Sequence, residues 1–511
     1  MDSPRGRIII DLEPLGHGEI DRVAHEEASL EVGATARNRL ANGRAIVERI
    51  IASGARAYGI NTGLGALSDI VLDPADLAKL ARNTVMSHAC GMGSPLERHQ
   101  VRAIMASLAN DLCHGHSGVS PAVVDQLVAC LNTGVTPVVP SQGSVGYIVH
   151  GAHVGLTLIG LGEAEFGGER MPAADALKKA GLAPITLATK DGLCLVNGTR
   201  DLTGLACVAL AEAERLMDRA DAVAAMSFES LRAQLGCIDA AVLALKPHPG
   251  LLRSGENLRR MVEGSGILAA AQGMRTQDAL SIRSIPQIHG ATRDQLDHVR
   301  RQVETELRSS SDNPLVIGTP DSHRVISNAH PHGQSLALAM DLLAIAVAEL
   351  GSASERRLDR LVNPLVSGLP PFLVEKGGVN SGMMIAQYAA ASIASENRIL
   401  AQPAVLDNAV TSGLQEDDVS FGVPGALKCA RVIDNVYRIL AIELILAAQA
   451  SEFIAAPGRG RGTALLHARL RRRVPPYAED RYLAPDLASA EAMLRDPEEA
   501  EALRAAVGSL S

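Results

Sequence analysis

The chain has 511 residues and a formal net charge of −9, which argues against a nucleic-acid partner because phosphates require a basic protein face. Hydrophobic residues make up 47% of the chain but aromatic residues only 2%, so the core must consist of Ala, Leu, Val and Ile, as suits closely packed helices. The most apolar run, residues 439–449, is interrupted by Glu443 and is too short to predict a membrane span.

The cysteine content and the N-terminal sequence predict a cytoplasmic protein. The seven cysteines are scattered, odd in number and without a Cys-x-x-Cys pair, as is typical of reduced thiols that fill a core. The first residues contain no long apolar stretch, so no signal peptide is predicted.

The first half of the chain predicts a short strand followed mainly by helices. One apolar stripe runs along Thr35–Ser53, and Gly54 is placed to end that helix. A short hairpin is expected around residues 163–172. Further helices are predicted at 74–90, 95–112, 120–132, Ala173–Ala180 and 200–235.

Residues 140–160 form the central feature of the chain. Pro140, Gly143 and Gly146 predict a loop, and apolar spacing from about Ile148 to Gly162 predicts a helix that begins at that loop. A glycine-rich loop that leads into a helix directs backbone N–H groups toward a ligand or a reacting group. A tight turn before a core helix would have the same composition.

The second half predicts long helices, some apolar on more than one side, which indicates an all-α helix bundle with enough apolar surface to form an oligomer. These helices are Asp294–Ser309, Gln334–Val362, Ser381–Ala401 and Ala426–Ser451. We expect an N-terminal helical domain over residues 1–200, a long-helix bundle over 201–470 and a C-terminal helical tail over 471–511.

No metal site is predicted. The pairs His150/His153, His114/His116 and His330/His332 have no third and fourth ligand at a recognisable spacing.

Nine short motifs, in this order along the chain, together resemble the histidine/phenylalanine ammonia-lyase family, and most closely its histidine branch. They are Tyr58-Gly-Ile-Asn-Thr-Gly-Leu-Gly65, Met86-Ser-His88-Ala-Cys-Gly91, Gln142-Gly-Ser-Val-Gly146, Val196-Asn197-Gly-Thr199, Gln277-Asp-Ala-Leu-Ser-Ile-Arg283, Ser311-Asp-Asn313-Pro314, Gly368-Leu-Pro-Pro-Phe-Leu373, Gly378-Val-Asn-Ser-Gly382 and Thr411-Ser-Gly-Leu-Gln415-Glu416-Asp417. The likeness extends from about residue 8 to near residue 480.

The resemblance implies an all-α fold of the fumarase/aspartase-like superfamily, a homotetramer around a core of long helices, and active sites shared between subunits. It also implies elimination of ammonia from an aromatic amino acid to give an α,β-unsaturated acid. The electrophile of the family is methylidene-imidazolone (MIO), made by cyclisation of an internal Ala-Ser-Gly.

This sequence departs from the family at the cofactor. Gly146 is followed by Tyr147-Ile-Val-His150, where the family has Ala-Ser-Gly and then Asp-Leu-Ala-Pro. Either the tripeptide is deleted, or a matured cofactor was dropped from the recorded chain. The continuous numbering and the changed residues 147–150 favour a true deletion, so no cofactor is predicted. Cyclisation of Gly143-Ser144-Val145 is disfavoured because Val is β-branched and stiff.

The usual proton acceptor is also missing. The family has a tyrosine where this chain has Leu280, which cannot accept a proton. Tyr58 is present, and a shifted phenol pKa in a dry, charged pocket would let it act as the base. Tyr147 and His150, which stand where the electrophile should be, are the other predicted catalytic residues.

The substrate-binding residues are carried over from the resemblance. Arg283 is expected to clamp a carboxylate with its planar guanidinium. His88 and Glu416 match positions that select an imidazole ring. The remaining predicted contacts to the amino-acid head are polar amides, namely Asn197, Gln277, Asn328 and Gln415.

Three hypotheses for function follow. The first is a cofactor-independent carbon–nitrogen lyase for a histidine-like amino acid or betaine, since a trialkylamine leaves readily as a neutral molecule. The second is a conventional MIO-dependent histidine ammonia-lyase whose tripeptide is missing only from the recorded sequence. The third is a non-catalytic or repurposed homologue. All three expect a small-molecule partner and a homotetramer, with no membrane partner.

Overall fold

The computed structural model describes residues 6–455 and 458–510, and the all-α prediction is confirmed. Helices account for most of these residues, and the few strands are short. The helices are α1 His17–Ala24, α2 Ala34–Ser53, α3 Leu77–His88, α4 Arg98–Leu112, α5 Pro121–Thr133, α6 Val149–Leu158, α7 Ala173–Lys179, α8 Asp191–Val196, α9 Arg200–Ser230, α10 Ala240–Ala244, α11 Pro249–Met261, α12 Gly266–Ala271, α13 Leu280–Arg283, α14 Ile285–Leu307, α15 Gln334–Val362, α16 Pro364–Ser367, α17 Met384–Leu400, α18 Gly422–Glu452, α19 Arg461–Arg473, α20 Ala484–Arg495 and α21 Pro497–Val507.

The strands form four small sheets. They are β1 Gly6–Ile10, β2 Ala28–Val32, β3 Met92–Pro95, β4 Thr136–Pro137, β5 Pro140–Gln142, β6 Glu163–Phe166, β7 Glu169–Pro172, β8 Leu315–Thr319 and β9 Ser322–Ile326. β1 pairs with β2 in parallel, whereas β3–β5, β4–β6–β7 and β8–β9 are antiparallel. The predicted hairpin at 163–172 is confirmed as β6–β7.

Two compact units divide the chain. The first unit comprises the residues up to Ala211, Val299–Asp341 and Pro403–Leu427, and the second comprises Glu212–His298, Leu342–Gln402 and the residues from Lys428 onward. Both units are discontinuous in sequence, whereas the predicted domains 1–200, 201–470 and 471–511 were contiguous. The difference arises because four of the unit boundaries fall inside long helices (α9, α14, α15 and α18), where composition does not change.

The termini of α2 illustrate how local sequence sets the elements. Its buried side includes Ala36, Leu40, Val47 and Ile50, on the apolar stripe read from the sequence. Gly54 ends the helix in the left-handed conformation at φ 69°, which glycine adopts without a steric penalty.

The core of the second unit contains a fully buried ion pair. Arg357 Nε lies 2.6 Å from Glu443 Oε1, and neither side chain is exposed. Ser227 and Ser354 also donate hydrogen bonds to the Glu443 carboxylate. The charge is therefore compensated where solvent is absent.

Two stretches, Asp191–Ser230 and Gln334–Val362, are long and apolar enough to cross a membrane by length and composition. In their most apolar windows, 94% and 67% of the residues are buried inside the protein. Buried core helices of soluble proteins have the same character.

Candidate active site

The first unit contains a cavity of about 1190 Å³, which is somewhat larger than the range of about 300–1,000 Å³ common for small-molecule sites. Six of the predicted site residues besides Tyr147 line it, together with the central loop. They are Tyr58, His88, Asn197, Asn328, Gln415 and Glu416. The structure thus brings together residues that are more than 350 positions apart in the chain.

The central loop has the predicted form. β5 ends at Gln142, Gly143 and Gly146 adopt positive φ values of 117° and 133°, and α6 begins at Val149. A side chain at Gly146 would clash with the Ser420 hydroxyl unless that side chain moved, and the positive φ would strain any residue other than glycine. Ile148 has φ 82°, a strained conformation for a β-branched residue, directly after the departure from the family pattern.

Tyr147 joins the central loop to the 411–418 segment. It is buried, and its hydroxyl donates a hydrogen bond to the Glu416 carboxylate. Burial, and then Glu416, raise the pKa of Tyr147, so the phenol stays protonated and remains a donor. Tyr147 therefore contacts the residue expected to recognise the substrate ring.

His150 is fully buried and does not line the cavity, so the structure does not bring it together with the other candidates. Among the described residues, neither ring nitrogen makes a hydrogen bond of good geometry, although the Pro140 carbonyl raises the pKa of the ring slightly against burial, and Nδ1 lies 3.8 Å from Asp201 Oδ2. Burial lowers the pKa of His150 to about 4 and raises that of Asp201 to about 7. Ser144 donates a hydrogen bond of 2.9 Å to the same Asp201 carboxylate. Both directions favour neutral forms of His150 and Asp201.

His153, which lies on the same helix, has a clear structural role. Its Nε2 accepts a hydrogen bond of 3.1 Å from the backbone N–H of Gly91. This bond connects α6 to the segment that follows His88.

Tyr58 and His88 are both half-buried at the cavity. Burial is the largest influence on Tyr58 and raises its pKa, although the Gly65 N–H, 3.4 Å from the hydroxyl, and Lys190 lower it. The net effect is a raised pKa, whereas the phenol would need a lowered pKa to act readily as a base in the ligand-free protein. Burial lowers the pKa of His88, so its imidazole is neutral near pH 7.

Asn197 is hydrogen-bonded to one member of a buried ion pair that the sequence analysis did not identify. Lys190 Nζ lies 2.7 Å from Asp312 Oδ2, and both side chains are fully buried. Burial opposes ionisation of Asp312, but Lys190 and then Arg200 outweigh it and lower the pKa of Asp312. Asn197 donates to Asp312 at 3.1 Å and to the Asn313 carbonyl at 2.7 Å, so its amide has only acceptor capacity left for a ligand. The motif Ser311-Asp-Asn313-Pro314 was the available signal for this pair.

The side chain of Asn328 is engaged in its own loop. It accepts from the His330 N–H at 2.8 Å and donates to the Ile326 carbonyl at 3.2 Å. Gln415 lies on the exposed side of the cavity.

The cavity lining is acidic. Within the described residues it includes Glu416, Asp417 and Asp418 and contains no lysine or arginine. Asp418 is partly compensated by His332, whose Nε2 lies 3.0 Å away. The lining also includes two of the six tyrosines of the chain, Tyr58 and Tyr147. Carboxylates and aromatic faces together favour a cationic ligand group.

Gln277 and Arg283 belong to the second unit. Gln277 is exposed in the loop before α13, and Arg283 is the last residue of that helix. Arg283 is half-buried, and its Nε has no hydrogen-bond partner among the described residues. Leu280, at the position of the family's tyrosine, is exposed.

The residues of this chain do not fit MIO. No Ala-Ser-Gly follows Gly146, where the strained turn and the tyrosine hydrogen bond stand instead. One Ala-Ser-Gly that the sequence analysis missed does exist, as Ala52-Ser53-Gly54. It lies at the end of α2, does not line the cavity, and Ser53 donates to the Ile50 carbonyl at 2.9 Å. That tripeptide is therefore an ordinary helix terminus.

Comparisons with known proteins identify the class. The profile of the family described as aromatic amino acid lyase matches residues 15–472. A histidine ammonia-lyase of Symbiobacterium thermophilum is 45% identical over 96% of this chain and 97% of its own length. One from Deinococcus radiodurans is 43% identical over 92% and 90%. The chain belongs to the aromatic amino acid lyase family and is a carbon–nitrogen lyase.

Solved structures agree with this assignment. The histidine ammonia-lyase of Trypanosoma cruzi superimposes with a TM-score of 0.91 at 35% identity, covering 98% of this chain and 96% of that one. An ergothionase of Treponema denticola, described as an ergothioneine-degrading enzyme in complex with desmethyl-ergothioneine sulfonic acid, gives a TM-score of 0.90 at 28% identity and covers 96% and 99%.

Proposed function

We propose that this protein is an MIO-independent lyase that eliminates a tertiary amine from a histidine-like betaine to give an α,β-unsaturated acid. The observation that carries the proposal is the absence of Ala-Ser-Gly after Gly146, which Tyr147–His150 follow directly.

The chemistry of the leaving group explains why a betaine is the preferred substrate class. In the elimination, a base removes a proton from Cβ, the C–H electrons form the Cα=Cβ bond, and the Cα–N bond breaks. A quaternary nitrogen takes that electron pair and departs as a neutral tertiary amine. A primary amino group can leave as neutral ammonia only from its protonated form, whose N–H protons are more acidic than the Cβ proton, and capture by the family's electrophile avoids that difficulty.

The cavity has features that suit a quaternary ammonium group. Its acidic lining contributes a favourable field, and aromatic faces such as those of Tyr58 and Tyr147 attract cations. Asn197 presents an acceptor and not a donor, which is compatible with a cationic head. A donor at that position would be repelled.

Tyr58 is proposed as the base. Its pKa is raised in the ligand-free protein, mainly by burial, so most of it is protonated near neutral pH. A bound quaternary cation stabilises the phenolate and lowers that pKa. The base would thus be activated by the substrate that needs it, and the rate would rise with pH.

His88 and Glu416 are proposed to bind the imidazole ring, with neutral His88 and the Glu416 carboxylate facing the ring nitrogens. Tyr147 would hold Glu416 in place through its hydrogen bond. Arg283 would clamp the carboxylate. The resemblance implies sites shared between subunits, so this arginine need not come from the same chain. Gln277, Asn328 and Gln415 would complete the polar surroundings.

The relatives support an imidazole substrate. Those at 45% and 43% identity are named histidine ammonia-lyases, and one structural neighbour degrades ergothioneine. The same names favour a second candidate, conventional elimination of ammonia from histidine, which would require an encoded Ala-Ser-Gly after Gly146.

Two measurements on the purified protein test the proposal. The intact mass should equal that of the 511 printed residues, and incubation with hercynine or ergothioneine should produce an unsaturated imidazole acid by absorbance. Additional mass equal to Ala-Ser-Gly less the water lost when it cyclises to MIO, with turnover of histidine, would establish the conventional enzyme. Thermal stabilisation by imidazole acids with no turnover of any of the three compounds would indicate a non-catalytic homologue.

We further propose that the protein is a cytoplasmic homotetramer, as the resemblance implies. Light scattering of the purified protein should give four times the mass of the chain, and a monomer would leave the proposed shared sites incomplete.

A further inference from the structure

The second unit contains a cavity of its own, of about 460 Å³, which lies within the range of about 300–1,000 Å³ typical of small-molecule sites. It is formed by residues of α9, α18, α20 and α21. Part of its wall is apolar, with Leu494, Pro497 and Leu503, and part is strongly polar. None of the roles proposed above involves these residues.

Arg219 is a buried cation without a direct ion-pair contact among the described residues of this wall. The residue is 8% exposed. Its Nε donates to the Leu494 carbonyl at 2.8 Å, but its two terminal nitrogens have no hydrogen-bond partner, and no carboxylate lies within 4 Å, among the described residues. Burial, the largest influence, lowers the pKa of Arg219, and it outweighs the carboxylates of Asp218 and Glu212, which raise that pKa.

The other arginines of the wall and Asp218 are paired, whereas Glu498 is exposed and has no ion-pair partner among the described residues. Arg504 lies 2.6 Å from Glu501, Arg495 lies 2.7 Å from Asp434, and Asp218 lies 3.3 Å from Arg293. Arg215 lies 2.7 Å from Glu212. Among the described residues, Arg219 is therefore the one arginine of this wall without a carboxylate within 4 Å.

Tyr437 adds a second unused donor. The residue is 1% exposed, and the Arg495 guanidinium lies over its ring, 4.1 Å from the centroid. Its hydroxyl has no hydrogen-bond partner in the described part of the chain, and burial raises its pKa, so it stays protonated. A buried hydroxyl without a partner is costly unless a ligand or water satisfies it.

We propose that this cavity is a binding site for a small organic carboxylate with an apolar body. The guanidinium fork of Arg219 matches a carboxylate, and the Tyr437 hydroxyl supplies a further hydrogen bond. The apolar wall accommodates the rest of the molecule. A single unpaired cation suits a monoanion better than a phosphate dianion.

Fluorine NMR on the intact oligomer tests the proposal with 4-fluorobenzoate as the probe. We expect line broadening that saturates in the millimolar range for the wild-type protein and at least about tenfold weaker binding for Arg219→Met, which keeps the stem but removes the charge. Tyr437→Phe should weaken binding a fewfold. It loses no bond within the protein, so a folding defect is not expected. Arg469→Met is the matched control, because its charge is paired with Glu499 at 3.0 Å and it does not line the cavity, and it should bind the probe as the wild type does.

The probe can also enter the cavity of the first unit, but neither Arg219 nor Tyr437 lines that cavity. Binding that is unchanged in both Arg219→Met and Tyr437→Phe would overturn the proposal. Equal binding of neutral 4-fluorobenzyl alcohol would show that the site binds only the apolar part of the probe and does not recognise its carboxylate, which would also overturn the proposal. Displacement of the probe by inorganic phosphate at lower concentration than by unlabelled benzoate would refute the carboxylate assignment.

Discussion

Replacing His150 by leucine is expected to stabilise the protein and to leave its lyase activity intact. The imidazole is fully buried, neither of its nitrogens makes a hydrogen bond of good geometry within the described part of the chain, and it does not line the cavity. Leucine is similar in size and has no polar atoms to satisfy. An unsatisfied buried polar group costs about 1–3 kcal/mol, so a gain of this order is expected at pH 7.

The stability that His150→Leu gains over the wild type should be larger at acidic pH. The pKa of His150 is about 4 in the folded protein and 6.5 in the unfolded chain, so the unfolded state binds more protons between these values. The contribution of His150 to the free energy of unfolding of the wild type therefore falls as pH drops through that window, by up to about 3 kcal/mol. Asp201 has the opposite sign, because its raised pKa contributes stability at low pH that is lost as pH rises toward 7. The difference between the variant and the wild type isolates the histidine.

Scanning calorimetry at one protein concentration, from pH 4.5 to pH 7.5, measures the effect. His153→Leu is the matched control, because it deletes the acceptor for the Gly91 N–H and should lower the melting temperature. A lower melting temperature for His150→Leu would mean that His150 and Asp201 form a charged pair, whose disruption leaves a buried carboxylate alone. That result would refute the inference that His150 and Asp201 are both neutral in the folded protein.

Three further predictions concern the cavity and the second core. Tyr58→Phe should abolish elimination, and the wild-type rate should rise through the alkaline range because the pKa of Tyr58 is raised; a flat pH profile would remove Tyr58 as the base. Glu416→Gln should keep the hydrogen bond from Tyr147 but raise KM for imidazole substrates about tenfold, because a neutral acceptor binds the ring N–H more weakly than a charged one. An unchanged KM would exclude Glu416 from ring binding. Arg357→Met should lower the free energy of unfolding by about 3–5 kcal/mol, because Glu443 is then buried without its partner; a variant as stable as the wild type in urea would contradict this.

Much of the fold follows from periodicity. The spacing of apolar residues predicts Gln334–Val362 to the residue and α2 to within one residue at its start, because long amphipathic stripes and a terminal glycine leave few alternatives. The prediction of Asp294–Ser309 misses the first turns of α14, which begins at Ile285, because Pro286 near its start reads as a break but is tolerated in a first helical turn. The discontinuous units are beyond such reasoning, since no composition change marks where a helix passes from one unit to the other.

The site was predictable as a set of residues but not as a network. Motif order identifies Tyr58, His88, Asn197 and Glu416, and the structure places them around one cavity. Sequence alone does not give the Tyr147 hydrogen bond, because its partner is 269 residues away. It also assigned His150 a catalytic role from its position after the loop, whereas α6 turns that side chain into the core. The hydrogen bond of Tyr147 and the burial of His150 both depend on how the whole unit folds, which sequence patterns do not give.

The central claim is that this chain eliminates a tertiary amine without an MIO electrophile. The most direct test compares release of unsaturated imidazole acid from hercynine and from histidine by one preparation whose intact mass matches the printed sequence. We predict turnover of hercynine and none of histidine. Turnover of histidine with ammonia release, by protein of that mass, would contradict the claim.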